Sequence, residues 1–367
     1  MFPEMGGARE RKSRSMTMAM LNTVLGPIDA SEIGDTMSHV HLTIDLLCWH
    51  MPPESGPQRG LSEGRITMRN LGAVRRNAMR VRDNLVQDDL DLAIREATDY
   101  RVAGGRTVIN CDLPGIGRDV IALQRISRAT GINIVASTGW YVQASHPPEI
   151  ARKGVEELAE TMVKEITVGI GKTGVKAGNI GEIALSGRTR EPYQPGEEKV
   201  LRAAARAQKA TGVSLTIHPN FPGDHWDTYI DVLEKEGADL AKCYMSHLGL
   251  YPNPEVSKRI LKRGVGFVSF DQLGHEELFG NPAAPGLGYS TDKEEIRCII
   301  ELLNAGYAER VLLSAEVAMK TCYKEFGGWG YSHVHDNIIP WLKSLGASAE
   351  DVDAIMVGNP RRLHTVA

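Results

Sequence analysis

The chain lacks the markers of several common protein classes. Its five cysteines, Cys48, Cys111, Cys243, Cys298 and Cys322, are odd in number, widely scattered and without a C-x-x-C pair, so no disulfide framework is read from them and reduced thiols of a cytoplasmic protein are expected. No apolar run approaches the roughly 18 residues that a membrane span requires. With 42 Lys and Arg against 46 Asp and Glu the net charge is −4, which leaves no basic footprint for nucleic acid or an anionic membrane surface and favours a small-molecule substrate. There is no G-x-S-x-G elbow, which leaves a serine hydrolase unsupported. The glycine-rich pieces at 169–174 and 286–288 lack the G-x-x-x-x-G-K-[ST] order of a phosphate cradle. The N-terminus is basic at Arg9, Arg11, Lys12 and Arg14 but has no apolar core or small-residue cleavage site, so a signal peptide is not expected. Residues 1–22 read as a disordered arm or an upstream start, since Met16, Met18 and Met20 offer alternatives. Residues 23–367 are expected to form a single barrel domain, assembled as a homodimer.

What is present is an alternation of strand-like and helix-like runs, the pattern of a parallel sheet built from βα units. Eight strands are predicted, at 36–42, 106–111, 133–137, 180–184, 213–217, 242–245, 266–271 and 310–314. Amphipathic stretches of period 3.6 lie between them, at 90–102, 155–170, 197–210, 228–236, 254–263 and 293–305. Asn253-Pro254 and Ser290-Thr291-Asp292 supply helix starts. Eight such units make an α/β chain of the (β/α)8 TIM-barrel class. The first connection, Trp49 to about Asp88, is long and rich in Pro, Gly and Arg, and Gly274 to Tyr289 forms a second long loop. Loops of that length are usually functional, so both are expected over the barrel mouth.

Several of the apolar runs end in side chains that bind metals: Ser38-His39-Val40-His41, Gly181-Glu182, Ile217-His218, Ser246-His247 and Ser314-Ala315-Glu316. The C-terminal ends of barrel strands are where a (β/α)8 barrel keeps its chemistry. Residues two apart in a strand share a face, so His39 and His41 can converge on one ion. An isolated H-x-H is weak evidence, and each lone histidine reads by default as a hydrogen-bonded core residue. Recurrence at the correct strand ends makes coincidence a poor account. Four histidines and two carboxylates exceed one tetrahedral zinc and suit two divalent metals sharing a carboxylate. Zinc is the first expectation, with manganese, cobalt and iron compatible with the same donors. Asp271, ending its strand, reads as a support to the site or a loop cap.

The chain resembles the phosphotriesterase family of the amidohydrolase superfamily from about Thr23 to Leu363. The resemblance rests on Thr23-Val24-Leu25-Gly26 leading to the H-x-H, on Thr138-Gly139-Trp140-Tyr141, Gly181-Glu182-Ile183, Ser246-His247-Leu248-Gly249, Gly327-Gly328-Trp329-Gly330-Tyr331 and Gly358-Asn359-Pro360-Arg361-Arg362. It implies a binuclear metal-dependent hydrolase acting on an ester, lactone, amide or phosphoester of a small, partly apolar or aromatic molecule, with a hydroxide shared between the metals. It implies that His39, His41 and a carboxylate after the eighth strand hold one ion, that His218 and His247 hold the other, and that Glu182 bridges them where many members use a carboxylated lysine. Lys176 lies upstream and reads as a solvated side chain. Trp140, Tyr141, His146, His275 and Trp329 are the expected substrate walls. One departure stands out: the family pattern has aspartate where this chain has Glu316, expected as metal ligand and catalytic proton acceptor. Its extra methylene leaves open a shifted centre, an engineered variant, or a catalytically impaired metal-binding paralogue. A mononuclear iron oxygenase built on His39, His41 and one carboxylate is a rival from another class, and it leaves His218 and His247 unemployed.

Overall fold

A computed structural model of the chain describes residues 19–53, 56–187, 191–220, 224–281 and 286–366. A short hairpin, β1 (Met20–Thr23) and β2 (Gly26–Asp29), precedes the barrel. Eight strands then follow: β3 (Thr36–Val40), β4 (Thr107–Asn110), β5 (Asn133–Thr138), β6 (Asn179–Ala184), β7 (Ser214–His218), β8 (Cys243–Met245), β9 (Phe267–Phe270) and β10 (Val311–Leu313). Each pairs in parallel with the next in sequence. The ring closes between β3 and β10 through a bridge at Val40 and Glu316, with the His41 N–H donating to the Glu316 carbonyl at 2.9 Å and the Ser314 hydroxyl donating to the His39 carbonyl. The seam is therefore sewn by residues of the expected site.

Helices pack outside the strands: α1 (Gly56–Ser62) and α2 (Leu71–Arg75) in the first long connection, then α3 (Leu90–Val102), α4 (Val120–Thr130), α5 (Val155–Thr167), α6 (Pro195–Thr211), α7 (Trp226–Glu236), α8 (Pro254–Lys262) and α9 (Asp292–Asn304). Their ends follow local chemistry. Asp119 accepts from the Ile121 and Ala122 amides to start α4, and Gly131, at φ 71°, ends it in a left-handed conformation that a side chain disfavours. Asn253 caps α8 ahead of Pro254, and Thr291 with Glu294 forms a capping box on α9. Among the described residues no helix is long and apolar enough to cross a membrane.

Three short helices, α10 (Ile339–Ser344), α11 (Ala349–Asp353) and α12 (Asn359–His364), finish the chain. Leu363 packs with Tyr244, Phe267 and Leu312 of β8, β9 and β10. Lys242, just ahead of β8, donates to the carbonyls of Arg362 and Thr365 at 2.6 and 2.8 Å, satisfying the open end of α12. Met20 pairs with Val366. The last residues of the expected arm, Met20–Asn22, thus belong to a strand, because pairing with Val366 and β2 satisfies their backbone; residues 1–18 lie outside the described residues.

Candidate metal centre

The strand ends deliver eight chemistry-bearing side chains to one mouth of the barrel. His39 comes from β3 and His41 from the residue beyond it; Asp112 follows β4; Glu182 lies in β6; His218 ends β7; His247 follows β8; Asp271 follows β9; Glu316 follows β10. Glu182 faces three imidazoles at once, with Oε2 at 3.4 Å from His39 Nε2 and 3.3 Å from His247 Nε2, and Oε1 at 3.3 Å from His41 Nε2. Glu316 Oε1 faces the same three nitrogens at 3.9, 3.8 and 3.7 Å respectively. Donor atoms of His39, Glu182, His247 and Glu316 all lie within 4.8 Å of one another.

Backbone conformation bears the cost of this convergence. His247 (φ 61°), Glu316 (φ 46°) and Val317 (φ 55°) sit in the left-handed region, at about 1–3 kcal/mol each for residues with a side chain. Each is held from outside. The His247 amide donates to Asp271 Oδ1 at 2.9 Å, the Glu316 carbonyl accepts from His41, and the Val317 carbonyl accepts from Gln87 Nε2 at 2.9 Å.

Two carboxylates aim the imidazoles. Asp271 Oδ1 accepts from His247 Nδ1 at 2.9 Å, and its Oδ2 lies 3.3 Å from His39 Nδ1. Asp112 Oδ1 accepts from His41 Nδ1 at 2.8 Å, while its Oδ2 accepts from the Thr43 amide at 2.9 Å and hydroxyl at 3.0 Å. A carboxylate behind an imidazole fixes the ring and its tautomer, leaving Nε2 for a ligand. Asp271 supports the site as its strand-end position suggested. Asp112 does the same from β4, and the sequence reading missed it. The strand-end rule that found the others would have found it in Asn110-Cys111-Asp112.

Electrostatics show what this cluster seeks. Burial opposes charge on His39, His41 and His247, yet acidic neighbours override it: Cys111, Glu182 and Asp271 at His39, Asp112, Glu182 and Glu316 at His41, and Asp271, Glu316 and Glu182 at His247, which is pushed up to about 10. Burial likewise opposes ionisation of Glu182, Asp271 and Glu316, and the facing imidazoles hold all three below the usual carboxylate range. The pocket therefore gathers cationic charge. His39 Nδ1 and Nε2, His41 Nε2, Asp271 Oδ2 and Glu316 Oε2 are buried without a hydrogen-bond partner, which native interiors rarely tolerate outside functional sites. Imidazole and carboxylate donors, orphaned and converging, fit a divalent metal.

His218 stands slightly apart. Its ring centroid is 4.5 Å from that of His247, but its Nε2 meets the Tyr141 hydroxyl at 3.1 Å, and its Nδ1 lies 3.0 Å from the Pro219 carbonyl. A carbonyl only accepts, so Nδ1 carries the proton and the tyrosine donates to Nε2. Trp49 Nε1 donates in turn to the tyrosine oxygen at 3.1 Å. Burial, with His247 nearby, brings His218 down to about 4. A neutral imidazole is the form a metal takes.

Above the cluster lies a cavity of about 260 Å³ with His41, His218 and Glu316 in its floor. Leu46 lies just ahead of the first connection, which contributes Trp49, Met51 and Met79, and the loop after β9 contributes Phe279, Leu287 and Tyr289, so both long loops wall the mouth; Pro282 and Pro285 of that second loop lie outside the described residues. Of the expected walls, Tyr141 lines the cavity. Trp140 is buried behind it, His146 Nε2 bonds the Tyr141 carbonyl at 2.8 Å, His275 turns toward Cys322, and Trp329 is half exposed and stacked on His333. Ser186, Asn220, Gln272 and Asn281 belong to the polar lining that sequence reasoning did not find.

Comparison with known proteins shows the family. The model of the phosphotriesterase family matches residues 19–364. The chain belongs to the phosphotriesterase family. It is 32% identical over 343 residues to the N-acetyltaurine hydrolase of Xenopus tropicalis, an alignment covering 93% of this chain and 97% of that protein. Its fold matches a resiniferatoxin-binding protein from Rhodobacter sphaeroides with a TM-score of 0.88 and 35% identity, covering 94% of each chain. A mutant phosphotriesterase-like lactonase from Deinococcus radiodurans matches with a TM-score of 0.72 and 27% identity, covering 94% of this chain and 99% of that one. This family member is a hydrolase on a (β/α)8 barrel.

Proposed function

We propose that the chain is a binuclear metal-dependent hydrolase for an ester, lactone, amide or phosphoester of a small, largely apolar molecule. The observation that carries this reading is the convergence of three imidazole nitrogens on two buried carboxylates, with orphaned donor atoms among them. His39, His41 and Glu316 would hold one ion and His218 and His247 the other, with Glu182 between. Bound there, divalent ions would supply Lewis acidity toward a scissile carbonyl or phosphoryl oxygen and toward water near neutral pH. Asp112 and Asp271 keep the His41 and His247 rings aimed. Glu316 lies in the cavity floor with its Oε2 buried and without a hydrogen-bond partner, and its carboxylate can take the proton of the attacking water and return it to the leaving group. The Tyr141 hydroxyl, released from His218 Nε2, can hold the substrate's polar atom.

The cavity wall supports an uncharged substrate. Among its described residues there is no Lys or Arg, and the walls from both long loops are apolar apart from a few amides and hydroxyls. A lactone, the bond named by one relative, suits that wall; N-acetyltaurine, named by another, carries a sulfonate for which the described lining offers no Lys or Arg. The test is elemental analysis after reconstitution, with a turnover screen across aryl esters, lactones, N-acyl amino acids and phosphotriesters. Close to two ions per chain with turnover of a neutral substrate is expected. One ion or fewer overturns the binuclear reading, and two ions without turnover means a metal-binding paralogue.

A further inference from the structure

Next to the histidine cluster lies a second set of donors that the proposed chemistry does not use. The loop after β9 carries His275 and Glu277, and the segment after β10 carries Cys322 to meet them. All three are buried, and one donor atom from each lies within 4.8 Å of the others. Cys322 Sγ is 3.6 Å from both ring nitrogens of His275. With metal–sulfur and metal–nitrogen bonds of about 2.3 and 2.0–2.1 Å at tetrahedral angles, ligand sulfur and nitrogen stand about 3.6 Å apart. Glu277 Oε2 accepts the Glu276 amide at 3.1 Å. The Arg and Lys ion pairs among the described residues go to other carboxylates. A buried carboxylate without a cation is costly, and a bound ion offsets that cost.

We propose that His275, Glu277 and Cys322 form a metal site of their own, distinct from the histidine cluster and suited to a borderline-soft divalent ion such as zinc. Thiolate, imidazole and carboxylate together select that class over magnesium or calcium. The site also gives the longer Glu316 side chain a neighbour, since His275 Nε2 lies 3.9 Å from Glu316 Oε2. An ion here clamps the loop that supplies Phe279, Leu287 and Tyr289 to the segment that follows Glu316, so it sets the cavity wall relative to the cluster.

Cobalt reports thiolate ligation by a charge-transfer band in the near ultraviolet, which histidine and carboxylate sites lack. The chelated full-length chain, titrated with cobalt(II), is expected to show that band. Cys322→Ser should abolish it and lower the cobalt count by one ion. His41→Asn, which damages the cluster, should leave the band in place. Cys111 adjoins His39, so Cys111→Ser is the control, and it should also keep the band. A parent protein without the band at saturating cobalt overturns the proposal, and so does a band that survives Cys322→Ser. Absence of the band in the parent overturns the proposal even if a variant folds poorly.

Discussion

Histidines occupy both ends of this barrel under the same burial and opposite electrostatics. At the mouth His39, His41 and His247 face Glu182, Glu316, Asp271 and Asp112, and their protonated forms are favoured. At the other end His364 of α12 reaches into the barrel, with Nδ1 at 2.8 Å from Ser214 Oγ of β7 and Nε2 at 3.2 Å from Ser38 Oγ of β3. Hydroxyls add no charge, so burial dominates, Lys242 adds repulsion, and His364 falls to about 3. One end is built to attract cations and the other to staple two strands four places apart in the ring. Burial alone therefore says nothing about a histidine's role; the partners decide it.

The comparison breaks most completely if the shared carboxylate is removed. Glu182→Ala takes away the group that faces three imidazoles, so both ions should be lost and turnover should fall to background. His247→Ala should mainly deplete one ion. Elemental analysis of the two variants is the check, and equal loss in both means the bridge lies elsewhere. Glu316 comes next. Its Oε1 already stands 3.7 to 3.9 Å from the three nitrogens, so Glu316→Asp draws the carboxylate farther from a centre fitted to the longer side chain. Since a misplacement of about 1 Å can cost on the order of 100-fold, slower turnover of roughly that size is expected. Glu316→Ala should be slower still and lose an ion. A faster Asp variant would mark the natural chain as impaired, and indifference to Asp, Ala and Gln would remove Glu316 from the ligands.

Asp112→Asn sharpens the contrast from behind the cluster. The amide oxygen can still accept from His41 Nδ1, but the negative charge that favours a basic, well-aimed imidazole is gone. Metal affinity should drop about 10- to 100-fold, read by competition with a chromophoric chelator. An unchanged affinity would mean that the Thr43 hydrogen bonds, not His41, are the reason for Asp112.

The barrel and the gathering of donors at its mouth were legible because each rests on local signals repeated many times. β-rich runs recur eight times, caps such as Asn253 and Thr291 mark helix starts, and donors recur at strand ends. What escaped depends on the paths of loops. Trp49, Met79 and Tyr289 reach the cavity from two long connections, whereas His146 and Trp329, equally suggestive in sequence, are occupied by the Tyr141 carbonyl and by His333. The strand at Met20–Thr23 pairs with its neighbour Gly26–Asp29 and, at Met20, with Val366 at the far end of the chain, and no local pattern announces that second pairing. Nor does sequence distinguish His364 from a ligand, because Ser38 and Ser214 are remote from it until the barrel closes.

The smallest effect lies at that closed end, and it is one of stability. In the unfolded chain an unperturbed histidine titrates near 6.5, whereas folded His364 stays neutral down to about 3. Below pH 6.5 the unfolded state therefore binds a proton that the folded state refuses, and stability is lost as pH falls, by on the order of 1 kcal/mol per pH unit, until the folded group itself titrates. At the mouth His39, His41 and His247 carry the opposite sign in the chelated protein. Their raised values contribute stability that is fully present below pH 6.5 and lost as pH rises, for His247 through about 10, while His218, brought down to about 4, shares the sign of His364. Replacing His364 by Gln keeps a donor and an acceptor for the two serines but cannot be protonated. Urea unfolding of the chelated parent and of His364→Gln at pH 7.5, 6.5 and 5.5 should then show the two curves converging as pH falls, with the variant starting less stable. Parallel curves would mean that His364 titrates alike in both states, and the contrast between the two ends of the barrel would fall with it.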